Sequence, residues 1–237
     1  GCPITHRPEA SPGKLLGVGL ATCVEPSGGN QAIFSYLNPA TVGMTPESTR
    51  LTITKDGSLI ATIGFQSTGQ SHESLVAQML CEELGWEPDS IVVERGNSHS
   101  GMLGATPIGD RMTLMLGLAV VKAAAKLRAK MARIAAFNLG VDSDDLDYAS
   151  RVFTVREHPE QTITVEAITA IAYHDQVSLP EDEEPGLTIT AIAKLPGGGL
   201  GLDAEKRLKQ GFPSYGFSVH IPVVEIDKET FLVKLVE

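Results

Sequence analysis

Residues 69–85, G-Q-S-H-E-S-L-V-A-Q-M-L-C-E-E-L-G, join a glycine-bearing loop to a pattern typical of an amphipathic helix. Apolar side chains recur at helical spacing from Leu75 to Leu84, and Gly85 then predicts the end of the helix. A loop that passes directly into a helix leaves backbone N–H groups without intrahelical partners at the first turn. The other elements are predicted on either side of this segment.

Strands are expected on both sides of the helix. Residues 50–65 alternate apolar and polar side chains around an Asp-Gly pair, which is a strong signal for a hairpin turn. Residues 89–94 predict another strand, and a longer second helix is predicted over residues 112–139. Strand pairs that alternate with single helices favour an α+β fold, with mixed or antiparallel strand pairs packed with two main helices.

The remaining elements follow from apolar runs and turn residues. A buried strand is expected over residues 15–24 and a short strand over residues 32–37. Residues 141–186 predict a small α/β insert, in which the acidic run 180–185 is expected to be a solvated turn. Residues 218–236 predict a closing hairpin.

Composition excludes several classes of function. The chain has 237 residues and a net charge of −10, which argues against sequence-independent binding of nucleic acid and against docking on an anionic membrane. The three cysteines are far apart, which argues against a disulfide framework, a zinc site or an iron–sulfur site and favours a reduced, cytoplasmic setting. No apolar run reaches the ~20 residues that span a bilayer.

The loop over residues 67–74 is the first candidate binding site. Gly69 allows a ligand to approach the backbone, and Gln70 offers both a donor and an acceptor. The positive end of the helix dipole favours an anion at this position. The alternative is an ordinary helix cap, with Ser71 at the N-cap position and Ser74 three residues further on.

The loop over residues 104–113, G-A-T-P-I-G-D-R-M-T, is the second candidate, because it also leads into a helix N-terminus. Asp110 and Thr113 are good capping residues in their own right. Arg111 could contact an anion, and the alternative is an ordinary surface arginine. Two such loops in one domain favour an anionic cofactor without identifying it.

Four segments of the chain, in the order in which they occur, point to a known family. They are G-V-G-L-A-T-C-V-E-P (17–26), the stretch 69–85, G-D-R-M-T (109–113) and A-V-V-K-A-A-A-K-L-R (119–128). Together they resemble the molybdenum hydroxylases, in particular the large, molybdopterin-binding subunit of the xanthine dehydrogenase, aldehyde oxidase and carbon monoxide dehydrogenase group. That family shows G-Q-G-H-E-T before a helix that ends in E-E-L-G, and a G-S-R-S loop before a long helix. The resemblance runs from about residue 15 to the C-terminus.

The resemblance implies part of an oxidoreductase that binds molybdopterin with molybdenum, in bacteria often as the cytosine dinucleotide. Family members hydroxylate a carbon centre or oxidise an aldehyde or similar substrate, with water as the oxygen source. Iron–sulfur clusters and FAD on partner subunits of a hetero-oligomer then take the electrons. The implied organisation is an extended arm over residues 1–14, a molybdopterin-binding lobe over 15–140 and a second α/β part with the C-terminal hairpin over 141–237.

The motif match also implies site residues. The cofactor-binding residues would be Gly69, Gln70 and Ser71 in the first loop, and Gly109, Asp110, Arg111, Met112 and Thr113 in the second. No catalytic residue and no metal ligand is assigned in this chain, because the family's catalytic glutamate lies beyond the point where the chain stops. Partner chains would therefore supply the rest of the pocket.

Two departures from the family pattern keep another function open. Ser71 stands where the family has glycine, and Asp110 stands where it has serine. A carboxylate beside a phosphate is unfavourable unless Arg111 or a metal compensates for it. The alternative is a non-catalytic scaffold or binding domain that keeps the fold without the cofactor, and an unrelated α+β enzyme is a third hypothesis. A working piece of the enzyme is expected to expose a large apolar surface that partners cover.

Overall fold

The computed structural model describes residues 11–28, 46–105, 107–193, 201–202, 205, 208–210, 212 and 214–236. The chain forms two compact units, one of residues 1–26 with 214–237 and one of residues 27–213. In the described residues the helices are α1 (His72–Leu84), α2 (Arg111–Leu139) and α3 (Val165–His174). The strands are β1 (Lys14–Val18), β2 (Ala21–Ser27), β3 (Ser48–Ile53), β4 (Leu59–Ile63), β5 (Ile91–Glu94), β6 (Leu146–Ala149), β7 (Val152–Val155), β8 (His158–Thr164), β9 (Leu187–Ile192), β10 (Gly201–Leu202), β11 (Leu208–Gln210), β12 (Ser214–His220), β13 (Val223–Asp227) and β14 (Val233–Leu235).

A four-stranded sheet in the order β5-β4-β3-β9 forms the centre of the larger unit. Strand β3 pairs antiparallel with both β4 and β9, as the hairpin signal predicts for β3 and β4. Strand β5 instead runs parallel to β4, because α1 connects the two strands as a crossover. The expected α+β fold with mixed strand pairs is confirmed.

Helices α1 and α2 pack against each other and begin and end close to the predicted positions. The backbone N–H of Gly85 donates to the carbonyl of Cys81 at 2.8 Å, and Gly85 has the left-handed conformation that commonly ends a helix. Gly140 ends α2 in the same way. A Cβ on Gly117 would lie 2.7 Å from Cε of Met79, so a side chain at this position of α2 would displace the end of the Met79 side chain of α1.

The hydrophobic core lies between the central sheet and these helices. Fully buried side chains from β3 and β4 meet fully buried side chains from α1 and α2; the largest are Leu51, Ile53, Leu59, Ile63, Leu80, Leu84, Leu116, Leu127, Met131 and Ile134. Burial of a leucine or isoleucine side chain of this kind contributes roughly 1.5–3 kcal/mol to folding. The sheet and both helix axes are therefore firmly positioned, which fixes where the loops between them begin and end.

The insert of residues 141–186 contains β6, β7, β8 and α3. The side-chain oxygen of Thr164 accepts a hydrogen bond from the N–H of Ala167 and caps α3. The prediction that the acidic run is a solvated turn is wrong for Glu183. Its carboxylate is 11 % exposed and pairs with Lys130 and Arg133 of α2.

The smaller unit contains a three-stranded sheet, β1-β13-β14, and a two-stranded sheet, β2-β12. The predicted single strand over residues 15–24 is wrong, because β1 ends at Val18 and β2 begins at Ala21. The predicted strand that starts at residue 218 is likewise broken, at Pro222. The two breaks face each other: the N–H of Gly19 donates to the carbonyl of Pro222 at 3.0 Å, and proline has no N–H with which to continue a strand pair.

Large apolar side chains of the smaller unit are exposed. Phe217 on β12 is 85 % exposed, and Phe231, Leu232 and Leu20 are exposed to a similar extent. A two-stranded sheet with few buried side chains is not stable alone in water.

The remaining predictions concern one strand and the division of the chain. The predicted strand over residues 32–37 lies outside the described residues. The predicted division at residues 14 and 140 remains a prediction, and the compact units divide the chain elsewhere because N-terminal strands pair with C-terminal ones. Within the described residues, no helix is both long enough and apolar enough to cross a membrane.

Tyr148 on β6 connects the insert to the end of α1. Its hydroxyl donates to the carbonyl of Leu84 at 2.6 Å, which satisfies a helix-end carbonyl that has no intrahelical partner. Burial raises the pKa of Tyr148 to about 12, although the nearby charges of Arg151 and Arg128 act in the opposite direction. The neutral phenol is therefore the form that the folded state stabilises.

We expect Tyr148 to titrate well above an ordinary tyrosine in the folded protein. Its contribution to stability is fully present below about pH 10, the pKa of an unperturbed tyrosine, and is lost as the pH rises toward 12. Ultraviolet titration of the tyrosinate band, with circular dichroism to confirm folding, measures this. Tyr148→Phe should remove the transition near pH 12 and Tyr215→Phe should retain it; a transition that survives Tyr148→Phe contradicts the assignment.

Candidate functional site

The candidate site lies at one edge of the central sheet. Strands β4 and β5 are parallel, so their carboxyl ends meet at this edge. The first loop, residues 66–71, follows β4 and leads into α1, whereas Arg95 directly follows β5. The N–H of Gly96 donates to the carbonyl of Phe65 at 3.1 Å and holds the two strand ends together.

A pocket of about 340 Å³ opens where the first loop passes into α1. It is lined by Ser67, Gly69, Ser71, Glu73, Ser74 and Arg95. Three hydroxyl groups and one guanidinium can donate hydrogen bonds there, and Nη2 of Arg95 lies 2.5 Å from Oε1 of Glu73. Hydroxyl donors and a cation at the positive end of a helix suit an anionic or strongly polar ligand.

Ser71 occupies the N-cap position of α1, but it does not cap the helix. Its φ is 55°, in the left-handed region, and its side chain makes no capping hydrogen bond. The expectation that Ser71 forms an ordinary cap is wrong, because a capping side chain needs an extended backbone at that position. The first-turn N–H groups of α1 therefore lack the usual acceptor from the N-cap side chain.

The first loop is held from the inside by His72. The imidazole is buried, packs edge-on against Phe65 with ring centroids 5.2 Å apart, and has Nδ1 3.2 Å from Oγ of Ser67. Gln70 is exposed between two lining residues, and its Oε1 accepts from the N–H and the hydroxyl of Thr68 at 3.0 and 2.9 Å. The amide nitrogen of Gln70 makes no hydrogen bond with any described residue.

The helix α2 begins at Arg111, so the second loop is taken from here on as residues 101–110, of which residue 106 is outside the described residues; this loop touches the end of β4. A Cβ on Gly64 would lie 2.4 Å from the carbonyl oxygen of Leu103, and a Cβ on Gly104 would lie 2.6 Å from the carbonyl carbon of Gly64. Two backbones can approach this closely only where neither residue has a side chain. The second loop is thereby brought to the edge of the sheet from which the first loop starts.

Two consecutive left-handed residues lead from the second loop into α2. They are Gly109, with a φ of 60°, and Asp110, with a φ of 47°. Asp110 stands at the N-cap position without a capping hydrogen bond, so the expected cap is again wrong for the same backbone reason. Asp110 and Thr113 are exposed, and the carbonyl of Gly109 accepts from the N–H of Gly28 at 3.0 Å.

Arg111 is buried, so the alternative of an ordinary surface arginine is wrong, and its predicted contact with the cofactor stays a prediction. The guanidinium is 1 % exposed and donates through Nη1 to Oε1 of the fully buried Glu47. The same nitrogen lies 3.7 Å from Sδ of Met112, whose side chain belongs to the core. Of the predicted site residues, the structure thus places Gly69 and Ser71 on the pocket, and Arg111 and Met112 beneath the second loop.

Sequence reasoning missed Arg95 and Glu47. A signal for Arg95 was present, because strand, helix and strand in succession predict parallel strands whose ends share one edge. No local pattern marks Glu47, which precedes β3 and reaches its partners only through the tertiary fold. Its burial could not be read from its neighbours in the sequence.

Comparison with known proteins gives a family match over nearly the whole chain. A family model described as "Molybdopterin cofactor-binding domain" matches residues 5–237. The carbon monoxide dehydrogenase large chain of Hydrogenophaga pseudoflava is 32% identical over 226 residues, which are 95% of this chain and 25% of the relative. The nicotine 6-hydroxylase large subunit of Paenarthrobacter nicotinovorans is 28% identical over 223 residues, 94% of this chain and 25% of the relative.

The solved structures include a similar fold. The structure of reconstituted CO dehydrogenase from Oligotropha carboxidovorans superposes with a TM-score of 0.72 and 29% identity, covering 94% of this chain and 25% of that chain. The chain therefore spans about a quarter of the length of the relatives that it matches.

We expect Ser71→Gly to stabilise the fold by about 0.5–1 kcal/mol, because glycine adopts the left-handed conformation without steric cost and no capping bond is lost. The matched control is Ser74→Gly, in the first turn of α1, which should lower the free energy of unfolding by about 0.5 kcal/mol. Denaturant unfolding of the protein that carries the chain measures both. A loss of stability in Ser71→Gly would show that the serine side chain stabilises this turn.

Proposed function

The chain belongs to the family of molybdopterin cofactor-binding domains, and we propose that it supplies part of the cofactor site of a molybdenum hydroxylase large subunit. The proposed reaction is hydroxylation of a carbon centre, or oxidation of an aldehyde or similar substrate, with water as the source of oxygen. The family match and the pocket at the start of α1 support this proposal.

The donors around the pocket carry the proposal. The first turn of α1 has no side-chain cap, and the hydroxyls of Ser67, Ser71 and Ser74 and the guanidinium of Arg95 surround the space in front of it. A pterin carries many hydrogen-bonding groups, and its phosphate is an anion, so this set of donors fits the cofactor chemically. Glu73 forms an ion pair with Arg95 and neutralises part of its positive charge. The hydroxyls and N–H groups are therefore the principal donors.

Gln70 is proposed to bind the cofactor through its amide nitrogen. The oxygen of the same amide is already engaged by Thr68, which fixes the orientation of the amide group. Gly69, with a φ of 105° and no atom within 4 Å of a built Cβ, leaves open space for a ligand beside the backbone. The first loop is therefore suited to hold a polar ring without rearrangement.

The second loop is proposed to act through its backbone and exposed side chains. The N-terminus of α2 is accessible at Gly109, Asp110 and Thr113. The side chain of Asp110 makes no capping hydrogen bond there, so the first-turn N–H groups have no side-chain cap. Arg111 and Met112 would support this loop from below, since both are buried. An anion would find N–H donors and a hydroxyl there.

The bound molybdenum–pterin group would supply the redox centre of the reaction. The residues of this chain would bind and orient it, and none of them is assigned a proton transfer. The proposed assembly includes the rest of a large subunit and partner subunits that carry iron–sulfur clusters and FAD, with the cofactor as the cytosine dinucleotide in a bacterial enzyme. Exposed apolar side chains such as Phe217 support such an assembly. The cytoplasmic location stays a prediction.

A scaffold without cofactor is the second candidate, and Asp110 is the observation that favours it. Its carboxylate is exposed at the positive end of α2, where it would repel a phosphate. Arg111 does not offset this charge directly, because its guanidinium is buried against Glu47. A scaffold would remain folded and would not respond to the cofactor.

We expect Gln70→Ala to weaken binding of the cofactor about fivefold, since loss of one neutral hydrogen bond costs about 1 kcal/mol. The measurement is the molybdenum content of the assembled enzyme, purified in parallel with the wild type. Removal of Gln70 also frees Thr68 from the amide oxygen, which loosens the first loop in the same direction.

Gln78→Ala is the matched control, because Gln78 is an exposed glutamine on α1 away from the first loop. It should leave the molybdenum content at the wild-type level. An equal molybdenum content in Gln70→Ala and the wild type would show that Gln70 does not bind the cofactor.

A further inference from the structure

We propose that Glu47 is a positioning residue that holds the second loop and the start of α2 in the geometry required to receive the cofactor. This inference rests on the proposed function. Glu47 lies directly before β3, is fully buried, and was not among the residues that the motifs indicated. Its role follows from what its backbone and its carboxylate contact.

The backbone of Glu47 is fixed to the central sheet. Its carbonyl accepts from the N–H of Ala193 at 2.8 Å, which continues the pairing of β3 with β9 by one residue. The next residue, Ser48, is paired in register with Ile192. A side chain that starts from this position is anchored to the central sheet of the larger unit.

The carboxylate of Glu47 contacts both the second loop and the start of α2. Oε1 accepts from the backbone N–H of Ala105 at 3.0 Å and from Nη1 of Arg111. Ala105 lies in the middle of the loop, and Arg111 is the first residue of α2. One oxygen atom thus ties the loop to the helix that follows it. Oε2 is buried and makes no hydrogen bond with any described residue.

Ser48 fixes the part of the loop before Ala105. Its N–H and its hydroxyl both donate to the carbonyl of Leu103 at 2.9 Å, and its hydroxyl accepts from the N–H of Leu103 at 2.7 Å. Glu47 and Ser48 therefore hold the second loop at two residues, Leu103 and Ala105, and Glu47 also holds the first residue of α2. Only the attachment made by Glu47 involves a charge.

The negative charge is needed because Arg111 is buried. A guanidinium at 1 % exposure that loses the negative charge of Glu47 is less stable in its buried position, which favours movement of the loop toward water. Movement of Arg111 displaces Asp110 and the first-turn N–H groups of α2. An anion that binds there would then have to order the loop first, which weakens binding without removing any direct contact.

The chain contains a matched control for this charge. Glu183 is another carboxylate with little exposure, and it pairs with Lys130 and Arg133 of the same helix, about five turns beyond Arg111. Glu47→Gln and Glu183→Gln each remove one negative charge from an ion pair with a cationic side chain of α2. Only the former touches the second loop.

The test compares these variants in the complex that carries the chain. We expect amide hydrogen exchange in peptides spanning residues 101–112 to become at least tenfold faster in Glu47→Gln and to stay unchanged in Glu183→Gln. Molybdenum should be lost from Glu47→Gln at least tenfold faster than from the wild type at a temperature where both are folded. Glu183→Gln should retain molybdenum even where its melting temperature falls equally.

A double variant, Glu47→Met with Arg111→Met, covers the case in which the single variant does not fold. Replacement of a buried ion pair by apolar side chains of similar size preserves stability in many proteins. In this double variant the amide hydrogens of the second loop should exchange faster than in the wild type, and molybdenum should be lost faster. Both results are expected although the melting temperature is restored.

Three results overturn the inference. One is molybdenum retention in Glu47→Gln equal to that of the wild type, and another is equal loss in Glu47→Gln and Glu183→Gln. The third is full retention in the double variant, which would assign Glu47 to stability alone. A wild-type complex without molybdenum would instead overturn the proposed function itself, and this inference with it.

Discussion

The contact between the backbones of Gly64 and Gly104 is the constraint on which the candidate site depends. Gly64 follows β4 and stands just before the first loop, whereas Gly104 lies within the second. Because a Cβ on either would lie well inside van der Waals contact with the other segment, the second loop can approach the end of β4 this closely only with glycine at both positions. The parallel pairing of β4 with β5 then places Arg95 at the same edge.

Backbone strain is concentrated where the two loops enter their helices. Ser71 and Asp110 both have left-handed backbones at an N-cap position, a conformation that costs a residue with a side chain roughly 1 kcal/mol. In both places the N-cap side chain makes no capping hydrogen bond, so the first-turn N–H groups have no side-chain cap. An ordinary cap would be more stable but would compete with a ligand for these donors.

The sequence predicts those parts of the fold that depend on neighbouring residues. Gly85 and Gly140 end their helices as expected, and the Asp56-Gly57 pair turns the hairpin of β3 and β4. The family resemblance itself is confirmed by the family match, whereas the assignment of the two loops to the cofactor stays a prediction. The capping bonds were predicted wrongly because residue type does not reveal a left-handed φ.

Long-range contacts set the rest of the site and could not be predicted. Glu47 reaches Arg111 across 64 positions of sequence, and this pairing converts an expected surface arginine into a buried one. In the same way, Glu183 pairs with Lys130, although the acidic run around it is typical of a solvated turn. Burial of a charged side chain depends on a partner that only the folded chain supplies.

The most direct test of the central claim is the molybdenum content of the native complex that carries this chain, measured by elemental analysis per mole of chain. A cofactor-binding piece of a hydroxylase predicts about one molybdenum per chain, with other subunits present in the purified complex. A complex that is folded and intact but contains no molybdenum would contradict the claim and favour a scaffold that keeps the fold alone.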